Sequence, residues 1–199
     1  MKKQDAAARS RNLILDAALQ VFADKGFHQA TNQDIARAAG IGSAGLIYHY
    51  FQDKKDLLVK VVERASPLLR LLAMPGDFVD LPLREGLVRW AQAFLGMAES
   101  PAQVAVARVL IGEALRDPDT AARFFAVGPG RGLGFLGSFL HHHMEAGRLR
   151  PQTPDLLARQ FMGPLVLALL LRVIFRRPEA MPEGLAERTV DTFLEGAAV

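Results

Sequence analysis

Residues 31–51 place polar and aromatic side chains on what reads as two short helices joined by a turn. Thr31 and Asp34 have the spacing of a capping box, in which each side chain binds the main-chain N–H of the other at the start of a helix. Gly40 supplies the left-handed residue that commonly ends a helix, and a second helix is predicted from about Ser43. Helix, glycine turn and helix is the helix-turn-helix pattern, whose second helix enters the major groove of DNA. The chemistry indicated is therefore nucleic-acid binding.

Other groups that could carry chemistry give weaker signals. The chain has no cysteine, which excludes disulfides, thiolate metal sites and cysteine nucleophiles. Residues 141–143 are three consecutive histidines, but neighbours on a helix point about 100° apart and cannot chelate one ion together. We interpret them as surface or core histidines, with a metal site as the less favoured alternative. The glycine-rich residues 128–132 lack the Gly-Lys-Ser/Thr ending of a phosphate loop. We expect no enzyme, no metal and no cofactor.

The charge distribution agrees with a nucleic-acid-binding end. The net charge is +3; residues 1–64 hold 10 Lys and Arg against 7 Asp and Glu, whereas residues 65–199 hold 14 against 14. The whole excess lies in the third that contains the helix-turn-helix pattern, which suggests a head for a polyanion on a neutral body. Chance clustering of a few charges is the alternative.

The remaining pattern is helical throughout. A first helix is predicted over residues 9–25, and a helix from Asp53 to about residue 74 should be interrupted at Pro67. Residues 75–82 are predicted to form a linker and residues 83–99 a further helix, and four later helices should begin at prolines 101, 118, 154 and 182. The apolar run between Arg159 and Arg172 is shorter than the roughly 20 residues needed to cross a bilayer, so a soluble cytoplasmic protein without a membrane segment is expected.

The segment resembles the DNA-binding region of the TetR family of bacterial transcription regulators. Matching features are Thr31, the run 34–36, the turn 39–41, the box Tyr48-His49-Tyr50-Phe51 and the run 54–58. The resemblance implies an all-α fold of about nine helices, with a three-helix DNA-binding head at residues 1–52 and a helical ligand-binding and dimerisation body at residues 53–199. It also implies a homodimeric repressor that releases a palindromic double-stranded operator when a small hydrophobic effector binds the body. The alternative is a small-molecule-binding or scaffold protein with impaired DNA binding.

Carried over by position, the resemblance implies ten DNA contacts: Thr31, Gln33, Ser43, Ala44, Gly45, Leu46, Tyr48, His49, Tyr50 and Lys54. Thr31 and Lys54 are expected to hold phosphates, and Gln33 can pair with an adenine edge. Leu46 departs from the small or polar residue often found at its position. Tyr50 has a second interpretation, as a packing residue.

For the body, helical spacing and the resemblance together predict two sets of residues, for which ordinary core packing is the open alternative. The predicted ligand pocket comprises Trp90, Phe94, Met97, Arg108, Ile111, Phe124, Phe139, His143, Phe161 and Leu165. The predicted dimerisation stripe on the last two helices comprises Leu157, Phe161, Leu165, Ala168, Ala186, Val190, Phe193 and Ala197.

Overall fold

A computed structural model describes residues 2–72 and 76–199, without the side chains of residues 2–5, 76 and 77. These residues form twelve α-helices and two short 3₁₀ helices, over residues 96–98 and 178–180, and no β-strand beyond one isolated bridge between Leu149 and Ala198. The helices are α1 (Lys2–Gln29), α2 (Asn32–Ala38), α3 (Gly45–Tyr50), α4 (Lys54–Ala65), α5 (Pro67–Leu71), α6 (Gly76–Val79), α7 (Leu83–Leu95), α8 (Pro101–Arg116), α9 (Pro118–Val127), α10 (Pro129–Glu145), α11 (Pro154–Val173) and α12 (Leu185–Ala197). The all-α prediction is confirmed.

The helices group into two compact units that do not follow the order of the chain. Unit 1 contains the residues up to Ala65 together with Ser100–Val127, and unit 2 contains Ser66–Glu99 and Gly128–Val199. The division into functional domains at residue 52 stays a prediction, because packing alone does not define function. The packing nevertheless places α4, α8 and α9, all assigned to the body by that division, with the helix-turn-helix pattern.

Unit 1 is built on a single apolar core. Ile14 and Phe22 of α1, Ile47 of α3, Leu57 of α4 and Leu110 of α8 are all buried in it. Helix α8 packs along α1, and α9 packs on α4. The helix-turn-helix segment is therefore held by helices from distant parts of the chain.

Helix α1 is longer than predicted. It begins at Lys2 instead of near residue 9, and it is interrupted at Gly26, which has φ 75° and ψ 167°. Such a positive φ favours glycine, which has no Cβ to clash with the backbone. The predicted stop at Gly26 is thus a sharp break, after which one more turn carries Phe27 into the core.

Unit 2 surrounds an aromatic core formed by Phe78, Trp90, Phe139 and Phe161, all fully buried. Helix α10 packs against α11, and α7 packs against α12. Helix α7 also approaches α10 so closely that a Cβ on Gly86 would clash with the Phe139 ring.

Several predicted boundaries are confirmed and others are wrong. Helices begin at Pro101, Pro118 and Pro154 as predicted, whereas α12 begins at Leu185 and not at Pro182. The helix predicted from Asp53 to about residue 74 ends at Ala65, and Ser66 caps the separate α5, because Pro67 cannot continue the hydrogen-bond ladder. Its predicted end near residue 74 and the first residue of the predicted linker lie outside the described residues.

Helix α11 is longer than the uncharged apolar run between Arg159 and Arg172 that it contains. With 20 residues, it is the one single helix of the described chain that is long and apolar enough to cross a bilayer, with 39% of its most apolar stretch buried inside the structure. The helix reaches this length and hydropathy because it has two apolar sides, of which one packs in unit 2 and the other is exposed. Core helices of water-soluble proteins can be equally long and apolar.

Candidate functional site

Helix α2 is fixed at its start by the predicted capping box, which the structure confirms. The main-chain N–H of Asp34 donates to the Thr31 hydroxyl at 3.1 Å, and the Thr31 N–H donates to the Asp34 carboxylate at 3.1 Å. The Thr31 hydroxyl also donates to this carboxylate at 2.7 Å, and Lys25 reaches it at 2.8 Å. Hydrogen bonds first from Lys25 and then from Thr31 hold the pKa of Asp34 far below its usual range. The polar groups of Thr31 are thus engaged in positioning α2.

Helix α3 is anchored by two apolar side chains and leaves its polar face free. Ile47 and Phe51 are each 2% exposed and belong to the core of unit 1, whereas Tyr48 is 64% exposed. Gly40 has φ 66°, which confirms the left-handed turn before this helix, and the helix starts at Gly45, slightly later than predicted. The anchoring fixes which face of α3 looks outward.

Most of the predicted DNA contacts lie where a duplex can reach them, although their contact with DNA stays a prediction. Thr31, Gln33, Ser43, Gly45, Tyr48 and His49 are exposed, while Ala44, Leu46 and Tyr50 are half-buried. The Tyr50 ring packs against the core of unit 1 and lies 5.0 Å from the His49 ring. This placement favours the packing interpretation of Tyr50.

Lys54 is placed differently from the prediction. Its ammonium donates to the main-chain carbonyls of Phe27 at 2.7 Å and Ala30 at 3.1 Å, and it lies 4.5 Å from the centre of the Phe27 ring. Partial burial lowers the pKa of Lys54. An ammonium that donates to two carbonyls at the end of α1 joins α1 and α4, which favours this structural role over the predicted phosphate contact.

A set of charged pairs that the sequence analysis missed joins α8 and α9 to α1 and the start of α4 within unit 1. Lys55 pairs with Asp117 at 2.9 Å, His28 with Glu113 at 3.0 Å, and Arg123 with Asp53 at 3.5 Å. Hydrogen bonds first from Thr120 and then from Lys55 lower the pKa of Asp117 to about 2. The two pairs of Lys55 and Arg123 are partly exposed and contribute little energy each, whereas Glu113 is buried; together the three pairs fix how α8 and α9 lie on α1 and α4. No local sequence pattern pairs residues so far apart.

The predicted pocket residues do not form one set. Trp90, Phe94, Phe139, His143, Phe161 and Leu165 are buried in the core of unit 2, with Met97 packed against it. Arg108, Ile111 and Phe124 belong to unit 1. Unit 2 also contains an open cleft of about 380 Å³ that involves none of them; it is lined by residues such as Leu95, Arg172, Met181 and Glu187.

The Trp90 side chain lies among stacked and edge-on rings. It is 5.8 Å from Phe135 in a nearly parallel arrangement and 6.1 Å from Phe78, and its indole N–H points to the Met162 sulfur at 3.3 Å. A core of this composition matches the apolar lining that small-molecule sites usually have.

The predicted dimerisation stripe is used inside the chain. Leu157, Phe161, Leu165, Ala168, Ala186, Val190 and Ala197 are buried in unit 2, and Phe193 packs against the same core with its ring 5.1 Å from Phe161. Side chains buried in their own chain cannot also contact a partner, so the assignment is corrected for the seven buried residues; for the half-buried Phe193 it stays a prediction. The exposed apolar face of α11 and its end contains Leu156, Val166, Leu167, Ile174 and Phe175 instead.

Comparison with known protein families identifies the family of this chain. Residues 14–61 match the model of the bacterial regulatory proteins of the tetR family, and residues 85–196 match the AefR-like transcriptional repressor C-terminal domain. The chain belongs to the TetR family. Members of this family are DNA-binding transcriptional regulators and not enzymes, which confirms the resemblance that the sequence motifs indicated.

Individual relatives of this TetR-family chain agree. The HTH-type transcriptional regulator BetI of Escherichia coli O45:K1 (strain S88 / ExPEC) is 37% identical over 90 residues, which cover 42% of the present chain and 46% of BetI. The match thus spans about half the length of that relative. A TetR-family regulator of Mesorhizobium loti MAFF303099 has a similar fold, with a TM-score of 0.79, 24% identity and coverage of 97% of this chain and 98% of that one. FadR of Bacillus subtilis, in complex with stearoyl-CoA, has a TM-score of 0.74 at 19% identity and covers 92% of this chain and 97% of its own.

Proposed function

We propose that this TetR-family regulator is a cytoplasmic repressor that binds a palindromic operator as a homodimer and releases it when a small apolar molecule binds. The supporting observation is the exposed polar face of α3, held outward by the buried Ile47 and Phe51. Two copies of such a helix read half-sites about 34 Å apart, or a multiple of that distance.

Electrophoretic mobility shift with the DNA upstream of its own gene tests the operator part. Tyr48 and His49 are exposed on α3, so Tyr48→Ala with His49→Ala should weaken specific binding by at least tenfold. Gln20→Ala, an exposed change on α1 outside α2 and α3, is the matched control and should bind as the wild type does. A double variant that binds as tightly as the control would refute the α3 interface. Absence of any DNA binding by the wild type would favour a ligand-binding or scaffold protein.

The exposed face of α11 is the surface we propose for the second copy. Leu156, Leu167 and Ile174 lie at spacings of eleven and seven residues, which places them on one side of a helix. An apolar face left open in a chain of a dimeric family is best covered by its own symmetry mate, in which the same patch faces itself.

This proposal predicts a change in oligomeric state. Leu167 is 59% exposed, and Leu167→Glu should convert a dimer into a monomer, because a desolvated carboxylate without a partner is strongly unfavourable. Leu115→Glu is the control, since Leu115 is 84% exposed and lies in unit 1. Sedimentation equilibrium measures both. A Leu167→Glu protein that stays dimeric would refute the assignment.

The effector is proposed to act in the aromatic core of unit 2. The FadR relative is solved with stearoyl-CoA, and the likeness at 19% identity concerns the fold alone, so the chemical nature of the effector has to come from this chain. The effector only needs to bind the conformation with low DNA affinity more tightly, and DNA then lowers the effector affinity by the same factor.

Helices α8 and α9 are proposed to carry the response to the head. They lie within the part of the chain matched by the C-terminal domain model, yet they pack on α1 and α4 in unit 1. They are also continuous in sequence with α7 and α10 of unit 2. A shift of these helices would therefore move the elements that hold α2 and α3.

A further inference from the structure

Glu113 on α8 is a buried carboxylate that the predicted DNA contacts do not include. The residue is 7% exposed, although glutamates rarely lie in the interior of a fold unless they are paired. A buried charge is strongly unfavourable without opposite charges or hydrogen-bond donors around it. The groups that surround Glu113 therefore indicate what this carboxylate stabilises.

Groups from α1 and α8 meet the Glu113 carboxylate. Its Oε1 lies 3.0 Å from Nε2 of His28 and 3.8 Å from a guanidinium nitrogen of Arg116. The same guanidinium nitrogen lies 3.4 Å from Nε2 of His28. The shorter distance to the carboxylate indicates that the Nε2–H donates to Glu113, which a histidine can do in its neutral and in its charged form. Glu113 thus binds the last turn of α1 directly.

Lys54 at the start of α4 provides a second connection between Glu113 and the end of α1. Partial burial lowers the pKa of Lys54, and the negative charge of Glu113 acts in the opposite sense. The Lys54 ammonium donates to the main-chain carbonyls of Phe27 and Ala30, which lie on either side of His28 in the chain. Glu113 therefore acts on this stretch twice, directly at His28 and through the charge of Lys54.

Residues 27–30, which we call the α1–α2 segment, determine where α2 begins. The segment follows the sharp break at Gly26, and the next residue is Thr31, which caps α2. Ala30 is 1% exposed and packs in the core of unit 1, which holds the segment close to α2. A displacement of the segment would move the start of α2, which carries the predicted DNA contacts Thr31 and Gln33.

We propose that Glu113 is a positioning residue for operator binding: through His28 and Lys54 it holds the α1–α2 segment in the orientation in which α2 presents its exposed side chains to DNA. Because Glu113 is buried, it acts without contacting DNA itself. It lies in the part of the chain that matches the C-terminal domain model. This inference rests on the proposed regulator function and names the contact through which α8 acts on the DNA-binding helices.

Affinities for two DNA duplexes test the proposal. Fluorescence anisotropy gives the dissociation constants of the full-length protein for the DNA upstream of its own gene and for a shuffled duplex of equal length. Glu113→Met keeps the length of the side chain but removes its acceptor and its charge, and it should weaken binding to the upstream DNA by about threefold to tenfold. Binding to the shuffled duplex should stay the same or tighten slightly, because removal of a negative charge favours association with DNA.

Three further variants separate positioning from charge and from folding. Glu113→Gln retains an acceptor oxygen for His28 and should bind the upstream DNA more tightly than Glu113→Met, whereas an effect of charge alone would make the two variants equal. His28→Ala, an exposed change, should also weaken specific binding, and its combination with Glu113→Met should add little because both changes break the same contact. Asp24→Asn is the matched control, since it removes a negative charge from the exposed surface of α1 and should leave specific binding intact.

Three results would overturn the proposal: unchanged affinity of Glu113→Met for the upstream DNA, equal losses on the two duplexes, or losses in Glu113→Met and His28→Ala that multiply in the double variant. Equal losses would show that only the amount of folded protein has changed. The wild type separates the two levels of the argument. A wild type without preference for the upstream DNA would refute the regulator function itself, whereas a wild type with that preference and unaltered variants would refute the role of Glu113 alone.

Discussion

Replacing Lys54 by methionine should destabilise the DNA-binding unit without removing a phosphate contact. Methionine keeps an apolar stem of similar length against Phe27, but the two charge-assisted hydrogen bonds to the carbonyls of Phe27 and Ala30 are lost. Hydrogen bonds of a charged group contribute about 1.5–3 kcal/mol each. Because Lys54 is half-buried, water can partly replace its ammonium as the donor to these carbonyls. We therefore expect the free energy of unfolding to fall by about 1–3 kcal/mol. For a chain of this length, this loss lowers the melting temperature by roughly 2–12 °C.

Urea unfolding followed by circular dichroism measures the loss of unfolding free energy. The salt dependence of operator affinity tests whether Lys54 contacts a phosphate. Each phosphate contact adds about 0.9 to the slope of log K against log salt concentration. We expect that slope to stay unchanged in Lys54→Met. Lys55→Met is the matched control, since Lys55 pairs with Asp117 at 2.9 Å at the surface and should contribute less than about 1 kcal/mol. A Lys54→Met protein with unaltered stability and a slope reduced by about one would show that Lys54 holds a phosphate after all.

Two further predictions concern the packing of unit 2 and the start of α2. Gly86→Ala should destabilise the protein by about 1–3 kcal/mol, because its Cβ would clash with the Phe139 ring. Gly134→Ala, whose Cβ would face open space, should not, and thermal unfolding that ranks the two variants oppositely would contradict the close approach. Asp34→Asn should lower the melting temperature at neutral pH, because Lys25 first of all, and then Thr31, lower the pKa of Asp34 in the folded state. This stabilisation is fully present above the ordinary Asp pKa of 3.8 and is lost as the pH falls from that value through the much lower pKa of the folded state. Melting temperatures of wild type and variant should therefore converge in strong acid, and a gap of constant size would refute the pKa argument.

The helix-turn-helix could be predicted because it depends on interactions between close neighbours in sequence. A capping box spans three residues and the left-handed turn needs one glycine, so Thr31, Asp34 and Gly40 were interpretable without any knowledge of the rest of the fold. The prolines at 101, 118 and 154 marked helix starts for the same reason, since a proline at the first helical position fulfils a purely local requirement.

The tertiary structure decided what each apolar or charged side chain faces. The spacing of residues along α11 shows that it is apolar on more than one side. Only the packing of α7, α10 and α12 determines that Leu157 and Leu165 of the predicted stripe turn inward while Leu167 stays outside. Likewise, the sequence shows a lysine at the start of α4, whereas the chain at the end of α1, 24 residues away, decides that its ammonium binds carbonyls. The sequence thus determined the family and the local geometry of the DNA-binding motif, and the fold determined the use of each surface, because burial depends on partners that are far apart along the chain.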